Sequence, residues 1–230
     1  MGFLKRFFKN VFHEGAPSSF IQSSFEHLSE DELDAHLGIT RYDNFELTDA
    51  VRPSYDVKVK PTQGYRRDSY FDEESKAAVP VLMASATKDL LFEVFLELLG
   101  PLGHEVDVVL ETSHGATQGH VDLYRESIDM PVLQSLLYDY EDLLLNDGCT
   151  GVAVLNPDTP QEVQFDEHKM LLVYGEPLAP FEEILRRNNI RFREEMRFIT
   201  EAEHVHSSSE RFMRDFEEMK VRLGIENAFV

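Results

Sequence analysis

The stretch KDLLFEVFLELLG at residues 88–100 constrains the fold of this chain more than any other. Read as a helix, its only polar ridge is Asp89, Glu93 and Glu97, spaced four apart, and the remaining circumference is apolar. A helix with so wide an apolar surface is stable only when buried on more than one side. The chain must therefore enclose it between layers or set it at a contact between subunits.

The segments around it supply those layers. VPVLMAS (79–85) is an apolar strand, HEVDVVLETS (104–113) alternates as a strand does, and GHVDLYRES (119–127) is the next. MPVLQSLLYDYEDLLLNDG (130–148) is a helix with Pro131 in its first turn and Gly148 at its end, and TGVAVLN (150–156) is the strand after it. Beyond a turn at NPDTP, EVQFDEHKMLLVYG (162–175) reads as one long strand or a kinked pair. PLAPFEEILRRNN (177–189) is a helix whose last turns hold Arg186 and Arg187, where cations complement the dipole. FREEMRFIT (192–200) reads as a strand, SSERFMRDFEEMKVRLG (208–224) as a helix capped by Ser208 or Ser209, and AFV (228–230) as a short closing edge strand.

The expected class is α+β, a largely antiparallel sheet with helices on one face. The first half of residues 79–230 has the ferredoxin-like order β-α-β-β-α-β. Displacing the region so that Leu82 falls on Leu171 also brings Phe92 onto Phe181, Glu93 onto Glu182, Leu96 onto Leu185 and Glu105 onto Glu194. This suggests a duplication with halves 79–160 and 161–230. That element order hosts metal carriers, RNA binders, sensors and enzymes, and so implies no function by itself.

Two further segments precede this domain. In residues 1–13, Phe3, Leu4, Phe7, Phe8, Val11 and Phe12 fall on one half of a helical wheel and Lys5, Arg6, Lys9 and Asn10 on the other. Such a helix is about 15 Å long, too short to span a bilayer and marginal alone in water. Its apolar face needs a surface: an anionic membrane, the protein's own body, or another subunit. The segment lacks the long apolar region and cleavage site of a signal peptide, and Arg6 stands where a myristoylation motif has Ser or Thr. Residues 14–78 read as a loop-rich linker that wraps the domain without a core of its own. Within it Ser29 and Glu32 form a capping box for a short helix closed by Gly38. YDVKVK (55–60) reads as an edge strand stopped by Pro61, and GYRRDSYFDEESK (64–76) as exposed loop.

The chain carries a formal net charge of -21, and this field repels phosphate backbones, so nucleic acid is not an expected partner. The single cysteine, Cys149, rules out an internal disulfide, reads as a half-buried core residue, and fits a reducing cytoplasm.

No phosphate-binding glycine loop, H-E-x-x-H or nucleophile elbow is present. The leading expectation is thus a non-enzymatic cytoplasmic protein without cofactor. It would associate with a protein partner or with itself, or touch an anionic membrane peripherally, through Phe3, Leu4, Lys5, Arg6, Phe7, Phe8, Lys9, Val11 and Phe12. The alternative is a metal-dependent hydrolase or metal sensor. SHGATQGH holds His114 and His120, and EAEHVHSS holds His204 and His206, at corresponding strand ends of the two halves. If these loops adjoin, the four histidines make a nitrogen-rich site for zinc. FDEHK (165–169) puts Asp166 and His168 on one face of a strand, which reads as a solvated polar stripe.

Overall fold

In the computed structural model, residues 23–72, 76–114 and 120–225 are described. The expected helix at residues 1–13 and the closing strand at 228–230 lie outside them.

The body is α+β, built on a seven-stranded antiparallel sheet. Its strands are β4 (Gly64–Asp72), β5 (Ala77–Ser85), β6 (Glu105–Thr112), β7 (Val121–Asp129), β8 (Thr150–Leu155), β9 (Glu162–Phe165) and β10 (Leu171–Tyr174). They lie in the order β4-β5-β10-β9-β8-β6-β7, and every neighbouring pair is antiparallel. Two small ribbons precede or flank it: β1 (Arg41–Tyr42) with β2 (Phe45–Glu46), and β3 (Val51–Pro53) with β11 (His204–His206).

One face of the sheet presents Leu82, Val106, Val108, Leu110, Val152, Val154, Val163, Phe165, Leu171 and Val173 to the helices. Against it pack α2 (Lys88–Leu99), α3 (Met130–Asp139), α4 (Glu141–Asn146), α5 (Ala179–Arg187) and α6 (Glu210–Arg222), all contributing to one core. In α2, Leu91, Phe92, Val94, Phe95, Leu96, Leu98 and Leu99 are buried, as its apolar circumference requires. It touches α4 and α5 as well as β2 and β9, with the Glu93–Glu97 ridge left to solvent and to Arg187.

The first helix, α1 (Glu30–Leu37), starts at the Ser29–Glu32 capping box read from the sequence and stops at Gly38. Three other expectations are corrected. GYRRDSYFDEESK is not loop: residues 64–72 are the edge strand β4, paired with β5 along its whole length. Its Arg66, Arg67 and Asp68 are the charges that keep such an edge from pairing with another chain. YDVKVK is not a strand; the ribbon strand lies just before it, at Val51–Pro53. FREEMRFIT forms no strand beyond a single bridge from Phe192 to Tyr65. Met196 and Phe198 instead cap the outer face of β5 and β10, beside Val81, Leu172 and Tyr174.

Along the chain β5, α2, β6, β7, α3, α4 and β8 follow one another, but β9 and β10 stand between β5 and β8 in the sheet, so the α+β class is shown and the ferredoxin-like arrangement is not. The residue offset pairs β5 with β10 and α2 with α5, whereas Glu105 opens β6 and Glu194 lies outside any strand. No helix among the described residues is long and apolar enough to cross a membrane.

Candidate metal centre

The hairpin between β9 and β10, the ribbon strand β11 and the turn from α4 to β8 converge at one end of the sheet. The hairpin turn is built by Asp166, whose carboxylate Oδ1 accepts the Met170 N–H at 2.7 Å, while Lys169 takes the left-handed conformation at φ 64°. This places His168 on the turn rather than on a strand, and it is 8 % exposed. The solvated stripe expected for FDEHK is therefore corrected: strand alternation does not operate across a turn.

His204 and His206 come from β11, whose register pairs His204 with Pro53 and His206 with Val51 of β3. Both side chains share a face of the ribbon because they are two apart. The ribbon is anchored through Arg52, itself buried, which donates to the carbonyls of Leu37, Thr48 and Val51 at 2.7, 2.5 and 2.9 Å. The Ser207 N–H donates to Ala50 O, and the Gly148 N–H to Ser207 O, both at 2.8 Å. Gly148 is required there, because a Cβ would lie 2.5 Å from Ala50 O, 2.9 Å from Ser207 O and 3.0 Å from His206 Cβ.

The three imidazoles pack together with ring centroids 4.9 Å (His168–His204), 4.8 Å (His168–His206) and 5.0 Å (His204–His206) apart. One ligand atom from each lies within 4.8 Å of the others. In all three, Nδ1 faces an oxygen acceptor: Asp166 Oδ2 at 3.0 Å for His168, Ala202 O at 2.8 Å for His204, and Gly148 O at 2.7 Å for His206. A carbonyl only accepts, so Nδ1 carries the proton in His204 and His206, and the lone pair stands on Nε2. Burial holds both imidazoles below the usual histidine range, with His168 adding to the fall, so they are neutral near pH 7. A neutral imidazole with its second nitrogen fixed by an oxygen acceptor is the form that binds a metal.

Beside the trio stands Glu167. Its Oε1 lies 3.2 Å from His120 Nε2, and the Ser113 hydroxyl donates to its Oε2 at 3.4 Å. Burial pushes the Glu167 carboxyl up, but the His120 hydrogen bond and the fields of His120, His168 and His206 outweigh it, leaving it below the usual carboxylate range. The Glu167 hydrogen bond in turn raises His120 above its ordinary value. The buried Lys169 donates to Thr150 O at 2.9 Å, and burial brings its ammonium down to about 8. A small cavity of about 30 Å³, lined by His168, Lys169, Met170, Leu91, Met196 and Phe198, adjoins the hairpin and has room for about one water.

Of the four histidines singled out from the sequence, His204 and His206 share this cluster. His120 stands against its carboxylate, and His114 lies apart, with Nε2 2.7 Å from the buried Asp147 Oδ2. His114, Asp147 and Cys149 form a second, separate group of potential ligands. His168 was not among the candidate ligands expected from the sequence. The one signal for it was the D-x-H spacing in FDEHK, in which the carboxylate can orient the imidazole two residues on.

No protein-family model, curated protein or solved structure matches the chain.

Proposed function

We propose that this protein binds a divalent metal of the zinc class through His168, His204 and His206, and uses it for metal-dependent hydrolysis. The observation that carries this reading is the shared orientation of the three rings, each with Nδ1 against an oxygen acceptor. Imidazole ligands suit zinc and its neighbours in the transition series. Donors bound at about 2.0–2.1 Å to one tetrahedral ion stand about 3.4 Å apart, so the trio closes on an ion by small side-chain movements. Three protein ligands leave one position for water or substrate, which is the pattern of catalytic rather than structural zinc sites.

When bound, the ion lowers the pKa of a coordinated water to about 7. Glu167 supports hydrolysis because it is kept ionised beside the trio and can take a proton, while its partner His120 can pass that proton to solvent. The single Cys149 and the absence of any internal disulfide support a reducing compartment such as the cytoplasm.

Elemental analysis of untagged protein purified without chelator tests the proposal. It predicts close to one equivalent of metal per chain, lost in the double variant His204→Ala, His206→Ala. Metal near zero, together with no change in melting temperature on adding zinc, overturns it.

A further inference from the structure

The turn from α4 to β8, residues 147–150, holds two arms of the histidine cluster from behind. On the ribbon arm, the Gly148 carbonyl accepts the Nδ1–H of His206 at 2.7 Å. On the hairpin arm, the Thr150 carbonyl accepts Lys169 Nζ at 2.9 Å, from the residue next to His168. The two carbonyls are two residues apart, so one short turn bears on the placement of both His206 and His168.

Asp147 clamps that turn. Its N–H donates to Leu143 O at 3.0 Å and closes the end of α4, and its side chain is 0 % exposed. Its Oδ2 accepts from His114 Nε2 at 2.7 Å and from the Thr150 hydroxyl at 2.5 Å. The first bond ties the turn to the residues after β6, and the second folds the turn back on itself. Burial pushes the Asp147 carboxyl up, but hydrogen bonds from His114, Ser208 and Thr150 outweigh it and leave it below the usual carboxylate range. A buried carboxylate depends on its donors, because losing one leaves a charge uncompensated in the interior.

His114, Asp147 and Cys149 also lie close enough to be read as ligands themselves. Two observations favour support over ligation. His114 Nε2 and Asp147 Oδ2 are occupied by each other, and the buried Lys169 adds a positive charge to the surroundings of Asp147 and Cys149.

We infer that Asp147, with His114 and Thr150 as its donors, is a positioning residue of the three-histidine site. It holds the 147–150 turn so that Gly148 fixes the tautomer of His206 and Thr150 anchors the hairpin of His168. The inference rests on the metal reading for its purpose, since among the described residues Asp147 makes no hydrogen bond to the three imidazoles and acts on them only through the turn.

The test reads the His206 tautomer in metal-free full-length protein, by nitrogen–proton correlation spectra of the imidazoles, and zinc affinity separately. Asp147→Ala is expected to turn His206 from Nδ1–H to a mixture of tautomers and to weaken zinc binding by about 10–100-fold. Thr150→Val removes only the hydroxyl and is expected to act in the same direction, which keeps the test valid if Asp147→Ala fails to fold. Thr150→Ser keeps the hydroxyl and should match the parent in both readings. Retention of Nδ1–H at His206 in folded Asp147→Ala, or in Thr150→Val if the first does not fold, overturns the inference. So does an equal change in Thr150→Ser, or a shifted tautomer with undiminished zinc affinity. A parent chain that binds no zinc, with the tautomer still shifted in the variants, overturns the metal reading and leaves the role of Asp147 in placing His206 supported.

Discussion

His168 and His206 reach each other from a hairpin and a ribbon, and their rings meet edge to face, 4.8 Å between centroids and 73° between planes. Each is held from behind, His168 by a carboxylate and His206 by the Gly148 carbonyl. Packing alone has no need to fix three neighbouring imidazoles by the same nitrogen. The proposed metal, shared on the other nitrogen, would account for it.

Asp166 bears most directly on the proposed site among residues outside the histidine trio. Its Oδ1 accepts the Met170 N–H and its Oδ2 faces His168 Nδ1. Asn at this position offers one acceptor and one donor, so it must fail either the turn or the imidazole. Asp166→Asn is expected to keep the fold by circular dichroism and to weaken zinc binding by about 10–100-fold, the usual cost of losing such a partner. Unchanged affinity in a titration against a zinc indicator would contradict the role given to Asp166.

Gly148→Ala tests how the ribbon positions the two proposed ligands on β11. The added Cβ would meet backbone oxygens at 2.5 and 2.9 Å, neither of which is a flexible side-chain end. Overpacking of this kind costs about 1–3 kcal/mol. We expect a melting temperature lower by several degrees and weaker zinc binding together, since the displaced strand carries His204 and His206. A loss of stability with undiminished zinc affinity would show that the ribbon does not set the site.

Glu111 gives a pH signature independent of metal. Burial raises its carboxyl from 4.5 to about 8; the Gln164 hydrogen bond opposes the rise and Asp122 and Asp166 add to it. Between those values the folded chain holds a proton that the unfolded chain has released. Stability is then full below about pH 4.5 and declines as pH rises towards 8. Glu111→Gln cannot ionise, so the variant and parent should melt alike near pH 5. By pH 8.5 the variant should be the more stable, by an amount on the order of a few kcal/mol. Parallel melting profiles across this range would mean that Glu111 is ionised throughout.

Much of the fold was legible because its main elements bury a regular face. The buried ring of α2 and the alternation of β6 follow from periodicity, and β8 from a short apolar run. The edge strand β4 escaped because its charges resemble those of a loop, and β3 because three residues are too few to show a period. At the site, His204 and His206 were visible as an H-x-H pair. Their union with His168 was not, since it depends on a short ribbon register and on a turn within a run that reads as one long strand or a kinked pair.

Zinc calorimetry on the metal-free protein puts the three-histidine site to the test. One saturable site per chain is expected, abolished in both His168→Ala and the double variant His204→Ala, His206→Ala. An absence of binding heat in the parent at several temperatures, or binding that persists when these histidines are replaced, would contradict it.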